Sequence, residues 1–128
     1  MRHLTSTVAL FLVMCGAAQA ATWEQIADGI NNVTSIDTSR PPKITGDIKG
    51  AWFKTVWKEH THYIDLAGKY EAFDIFYISI NCRDQTQNMG EMTWYFEDGS
   101  FHTSDSPGPW NPVTPDSMGE VAMTLLCK

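Results

Sequence analysis

Residues 70–82 constrain this chain more than any other stretch. Read as a strand, they place Tyr70, Ala72, Phe76, Ile78, Ile80 and Cys82 on one face, with Asp74 as the single polar intrusion. Phe73, Ile75 and Tyr77 take the other face, because side chains alternate along an extended backbone. A strand apolar on both sides of its middle belongs at the centre of a sheet, covered above and below. One cover is visible in the sequence itself. Met118, Val121, Ala122, Leu125 and Leu126 recur at helical spacing and form one apolar stripe on a C-terminal helix. That helix has two readable starts, Thr114-Pro115 as cap and first helical residue, or Ser117 with Glu120 as a capping box. The other face of the strand calls for a second sheet, a loop or a second subunit.

The neighbouring strands follow from the same alternation. Residues 48–58 oppose Ala51, Phe53, Thr55 and Trp57 to Trp52, Lys54, Val56 and Lys58, and the lysines mark the second face as partly solvated. Residues 91–97 oppose Met92, Trp94 and Phe96 to Thr93 and Tyr95, and Asp98-Gly99 then turns the chain into a returning strand over residues 100–104. Nearer the start, residues 23–26 and 32–37 read as two strands about Asp28-Gly29, or as a helical turn followed by one strand. Pro41-Pro42 breaks regular structure, and residues 59–69 read as a polar connection. The fold class expected is α+β: an antiparallel sheet of about five or six strands with a C-terminal helix packed on one face and one disulfide.

Ahead of this domain, residues 1–20 combine Arg2 and His3, an apolar run from Val8 to Met14, and the small-residue site Ala18-Gln19-Ala20. That is the layout of a secretory signal peptide, and the run is well short of the roughly 18 to 20 residues that span a bilayer. Cleavage after Ala20 would leave one domain, residues 21–128. It would remove one of the 9 basic residues and none of the 15 acidic ones, so the formal charge moves from −6 to −7. A field of that sign disfavours nucleic acid and anionic lipid as partners.

Of the three cysteines, Cys15 departs with the signal, and Cys82 and Cys127 remain as a pair that an oxidising compartment would bridge. Closing a loop of about 46 residues would contribute roughly 4 kcal/mol in the chain-entropy picture. Leu12-Val13-Met14-Cys15-Gly16 resembles a lipobox, which would lipidate and retain Cys15, but Met14 stands where a small residue is normal. The expected location is therefore the periplasm, or the cell surface and medium.

Several short motifs follow one another in a set order: Ile36-Asp37-Thr38-Ser39, Ala51-Trp52-Phe53-Lys54, Asn81-Cys82, and Tyr95-Phe96-Glu97-Asp98-Gly99-Ser100. They end in Trp110-Asn111-Pro112-Val113-Thr114-Pro115-Asp116-Ser117 with Cys127. Across nearly all of residues 23–127, this order resembles the surface-adhesin protein E-like family of small exported bacterial domains. The resemblance implies an antiparallel sheet with a C-terminal helix, a Cys82–Cys127 bridge, and a role in binding rather than catalysis. Pro41-Pro42 and residues 59–65 do not map onto the pattern.

His60, His62 and Asp65 form the one cluster with ligand-like spacing. On a strand the two histidines would face one way and hold zinc or copper with the carboxylate, and His102 would join them from the hairpin; a solvated loop is the plainer reading. There is no Gly-x-Ser-x-Gly or Ser-x-x-Lys motif, bridged cysteines supply no thiolate, and Glu97-Asp98 sits in a turn. Neither an enzyme signature nor a cofactor is expected. Five Trp, four Tyr and six Phe are more than one side of a small sheet can bury. Trp52, Trp57, Tyr77, Trp94, Tyr95 and Trp110 are thus candidates for a partner surface or a homodimer interface. The function expected is a non-enzymatic, adhesin-like domain that binds a host or envelope protein. The alternative is a periplasmic inhibitor or immunity-type protein of an envelope or cell-wall enzyme, whose basic surface the acidic charge would suit. A metal-binding module through His60 and His62 is the third.

Overall fold

A computed structural model describes residues 20–128; residues 1–19, which include Cys15 and nearly all of the expected signal peptide, lie outside the described residues. Nine strands form one antiparallel sheet: β1 (Trp23–Asp28), β2 (Asn32–Asp37), β3 (Lys43–Thr45), β4 (Ile48–Trp57), β5 (Tyr63–Ile64), β6 (Lys69–Asn81), β7 (Thr86–Phe96), β8 (Phe101–Ser104) and β9 (Asn111–Pro112). A single helix, α1 (Met118–Leu126), follows them. Six strands lie side by side in the order β1-β2-β4-β6-β7-β8, while β3 pairs with β4, β5 with β6 and β9 with β7. The expected five or six strands are thus corrected to nine. The three additional ones run for only two or three residues, too few to carry an alternation that a sequence can show. One of them, β5, falls inside the stretch expected to be a plain connection.

The strand apolar on both faces is central, as its composition requires: β6 pairs with β4 on one side and β7 on the other. Register sets Ala51 beside Ile78 and Phe53 beside Phe76, and the two phenyl rings stack at 5.8 Å. With Ile80 they form the core, closed from above by Ala122 and Leu126 of α1. Among these, Phe53, Ile80 and Ala122 are completely buried, so the helix packs directly on the sheet. Cys82, just past β6, is bridged to Cys127 at the end of α1, with their Cα atoms 5.5 Å apart.

The later of the two helix starts is the one used. Ser117 Oγ accepts from the Glu120 N–H at 3.3 Å, and Glu120 Oε2 accepts in turn from the Asp116 N–H at 2.8 Å. Asp116 has φ of +58°, a left-handed conformation that interrupts any helix begun at Pro115. The hairpin at Asp98-Gly99 forms as its residues dictate, with Gly99 at φ of +84°.

No helix or second sheet lies over the opposite face of the sheet among the described residues. In place of the cover that the sequence called for, long side chains lie across the rings. Lys54 Nζ sits 4.6 Å from the centre of Phe73, and the Arg40 guanidinium, from the loop before β3, sits 5.7 Å from that of Trp52. Gly50 makes room here for the Tyr77 hydroxyl, which a Cβ at that position would overlap.

Candidate functional site

A break in register between β6 and β7 shapes the helix-side face. Glu71 pairs with Phe96 and Phe73 with Tyr95, so Ala72 bulges out of the ladder. In a regular strand, residues three apart point to opposite faces; the bulge instead turns Glu71 and Asp74 to the same one. Both are buried, with Glu71 0 % and Asp74 4 % exposed. His62 Nδ1 donates to Glu71 Oε2 at 2.9 Å, and the Trp57 indole N–H donates to Asp74 Oδ2 at 3.3 Å. The remaining oxygens, Glu71 Oε1 and Asp74 Oδ1, are buried and receive no hydrogen bond from a side chain outside the pair.

Burial pushes the Asp74 carboxyl up to about 8, and hydrogen bonding to Glu71 and repulsion by its charge push the same way. The Trp57 indole and the Thr55 backbone pull in the other direction with less effect. The protonated form of Asp74 is therefore favoured at neutral pH. His62 is oriented twice, by Glu71 at its Nδ1 and by Trp57, on which its ring stacks at 3.8 Å.

These groups line an open cleft of about 740 Å³ between the sheet and the start of α1. Trp57, Trp94, Phe76 and Met92 supply its apolar wall, and Asp28, Asp116 and Glu120 add carboxylates nearer solvent. No lysine or arginine lines it.

On the other face, Trp52 and Tyr77 are direct cross-strand partners and meet edge to face at 5.2 Å. Phe73 stacks on Tyr95 at 4.3 Å, and Tyr95 meets Phe101 at 6.0 Å. The row crosses four adjacent strands and ends at Phe101, 68 % exposed. Partial burial among these rings raises the pKa of the Tyr77 hydroxyl.

The six aromatic residues singled out from the sequence do not form one surface. Trp52, Tyr77 and Tyr95 lie on the open face, whereas Trp57 and Trp94 point to the helix side and line the cleft. Trp110, half exposed, precedes β9 in the loop that leads away from β8. The histidine cluster also separates. His60 lies in a turn at φ of +56° rather than on a strand, and its ring reaches Glu59 and Glu97, each at 3.5 Å, while His62 turns to Glu71. Asp65 is exposed after β5, and His102 stacks on Trp94 at 5.7 Å. Among the described residues, no three His, Cys, Asp or Glu side chains come together in a group that could hold a metal ion.

The Glu71–Asp74 pair escaped the sequence reading. Its one signal was Asp74 itself, a carboxylate in an otherwise apolar strand. Among the described residues no helix is long and apolar enough to cross a membrane. No family model, curated protein or solved structure matches the chain.

Proposed function

We propose that the protein is an exported, non-enzymatic binding domain that recognises a host or envelope protein through the open face of its sheet. The observation that carries this reading is the row of Trp52, Tyr77, Phe73, Tyr95 and Phe101 across β4, β6, β7 and β8, on a face that no helix or second sheet covers among the described residues. Rings held on paired strands lose little freedom on binding, and aromatic anchors of this kind dominate interface energetics. Export is supported by the Cys82–Cys127 bridge, a bond that oxidising compartments form and preserve. Membership of the surface-adhesin protein E-like family is part of the proposal and draws on the order of the sequence motifs.

The test compares the immobilised protein with a Trp52→Ala/Tyr95→Ala variant, matched by circular dichroism, as baits for envelope and extracellular proteins. The expected result is a protein retained by the first and released by the second. Equal retention by both, or specific retention by neither, would overturn the proposal. Sedimentation of the two forms tells whether a second copy of this chain takes the face instead. The carboxylates Asp28, Asp116 and Glu120 beside the cleft favour a second reading, an inhibitor or immunity-type protein of a basic envelope enzyme. Recovery of a cell-wall hydrolase by both baits would select it.

A further inference from the structure

The helix-side cleft has a chemistry of its own, independent of the open face. Five carboxyl-bearing residues line it, Asp28, Glu71, Asp74, Asp116 and Glu120, with no lysine or arginine among them. The start of α1 lies at the rim of this cleft. The N–H of Glu120 is taken by Ser117 Oγ, and that of Asp116 by the Glu120 carboxylate. At the bottom of the cleft, the buried Glu71–Asp74 pair is held by His62 and the Trp57 indole, with no lysine or arginine beside it. A buried carboxyl pair with no cation beside it is stabilised by one that arrives from outside.

The walls narrow the class of donor. Trp57 and Trp94 present indole rings, which attract cations with a polarisable, weakly hydrated surface. A metal ion is poorly served, because no group of three His, Cys, Asp or Glu side chains converges among the described residues. The volume, about 740 Å³, lies within the range of small-molecule sites. We propose that this cleft binds an organic cation, an alkylammonium or guanidinium group seated against Trp57 and Trp94, with Glu71 as its counter-charge. The group faces the buried carboxyl pair as its charge partner, and the outer carboxylates attract it from solution.

Titration of the protein with n-butylammonium, read by tryptophan fluorescence and calorimetry, tests this directly. Saturable binding is expected, with none for n-butanol or butyrate, which share the chain but lack the charge or reverse it. Glu71→Gln should weaken binding about tenfold by removing a desolvated charge partner. Should that buried substitution impair folding, Asp28→Asn/Asp116→Asn alters only exposed positions and should still weaken binding about threefold. A short diamine and a blocked lysine amide separate the sources of the shared chemistry: tighter binding of the first identifies a free amine, tighter binding of the second a side chain of a protein. No saturation by butylammonium, equal binding of butanol, or unchanged affinity in correctly folded variants would overturn the assignment.

Discussion

Asp74 lies on the buried side of β6 with one oxygen held by the Trp57 indole and the other buried beside Glu71. Its carboxyl rises from the ordinary 3.8 to about 8 through burial and the neighbouring Glu71. Across that window the folded protein holds a proton that the unfolded chain releases, so stability falls as pH rises from about 4 to about 8. Asp74→Asn keeps the shape and removes the charge. It should flatten this slope in urea unfolding at pH 5 and pH 8, and stabilise the protein at pH 8 by about 1 to 3 kcal/mol, the scale of a relieved buried polar group. A slope that persists in the variant would count against a proton held on Asp74. Asp37 behaves oppositely. Burial disfavours its charge, but hydrogen bonds from Ser39 and the Arg40 guanidinium at 2.9 Å outweigh that and hold its pKa down. Asp98 is likewise pulled down to about 2, first by its hydrogen bonds with Ser100 and then by Lys69. The stability these two contribute is present above the ordinary carboxylate range and lost as pH falls below it, so the two pH windows do not overlap. Asp74 was legible in the sequence as an intrusion into an apolar strand. Glu71 was not, because its facing depends on a bulge that only the pairing of β6 with β7 creates.

At the scale of elements, the long strands and the hairpin were legible because residues 48–58, 70–82 and 91–104 carry their pattern over many positions. Strands β3, β5 and β9 were not: they exist because β4, β6 and β7 offer free backbone groups, which is a property of the partner strand. The start of α1 illustrates the same limit. Thr114-Pro115 and Ser117 with Glu120 are equally good local signals, and the left-handed turn at Asp116 decides between them. Ser117→Ala should therefore lower stability by about 1 kcal/mol, while Thr114→Ala should stay within about 0.5 kcal/mol of the parent. Thermal unfolding of the two variants measures this, and the reverse order would place the cap at Thr114.

The described residues form one sheet with a helix on one side and a half-buried aromatic row on the other. The bridge of Cys82 to Cys127 ties the helix to the central strand across a sequence separation of 45 residues. In the chain-entropy picture its reduction should cost about 4 kcal/mol, a large share of the 5 to 15 kcal/mol typical of a small domain. Urea midpoints with and without reductant should differ accordingly, and identical midpoints would show that the bridge does little for the fold. Composition announced the excess of aromatic rings but not their division, since Trp57 and Trp94 differ from Trp52 and Tyr95 only in strand parity. That division makes the central claim testable face by face. The most direct measurement is the affinity of the recovered partner protein for Trp52→Ala/Tyr95→Ala and, in parallel, for Glu71→Gln. Recognition through the open face predicts a loss of about a hundredfold for the first variant, as expected for two aromatic anchors, and little change for the second. Unchanged affinity in the first variant, with its fold intact, would contradict it.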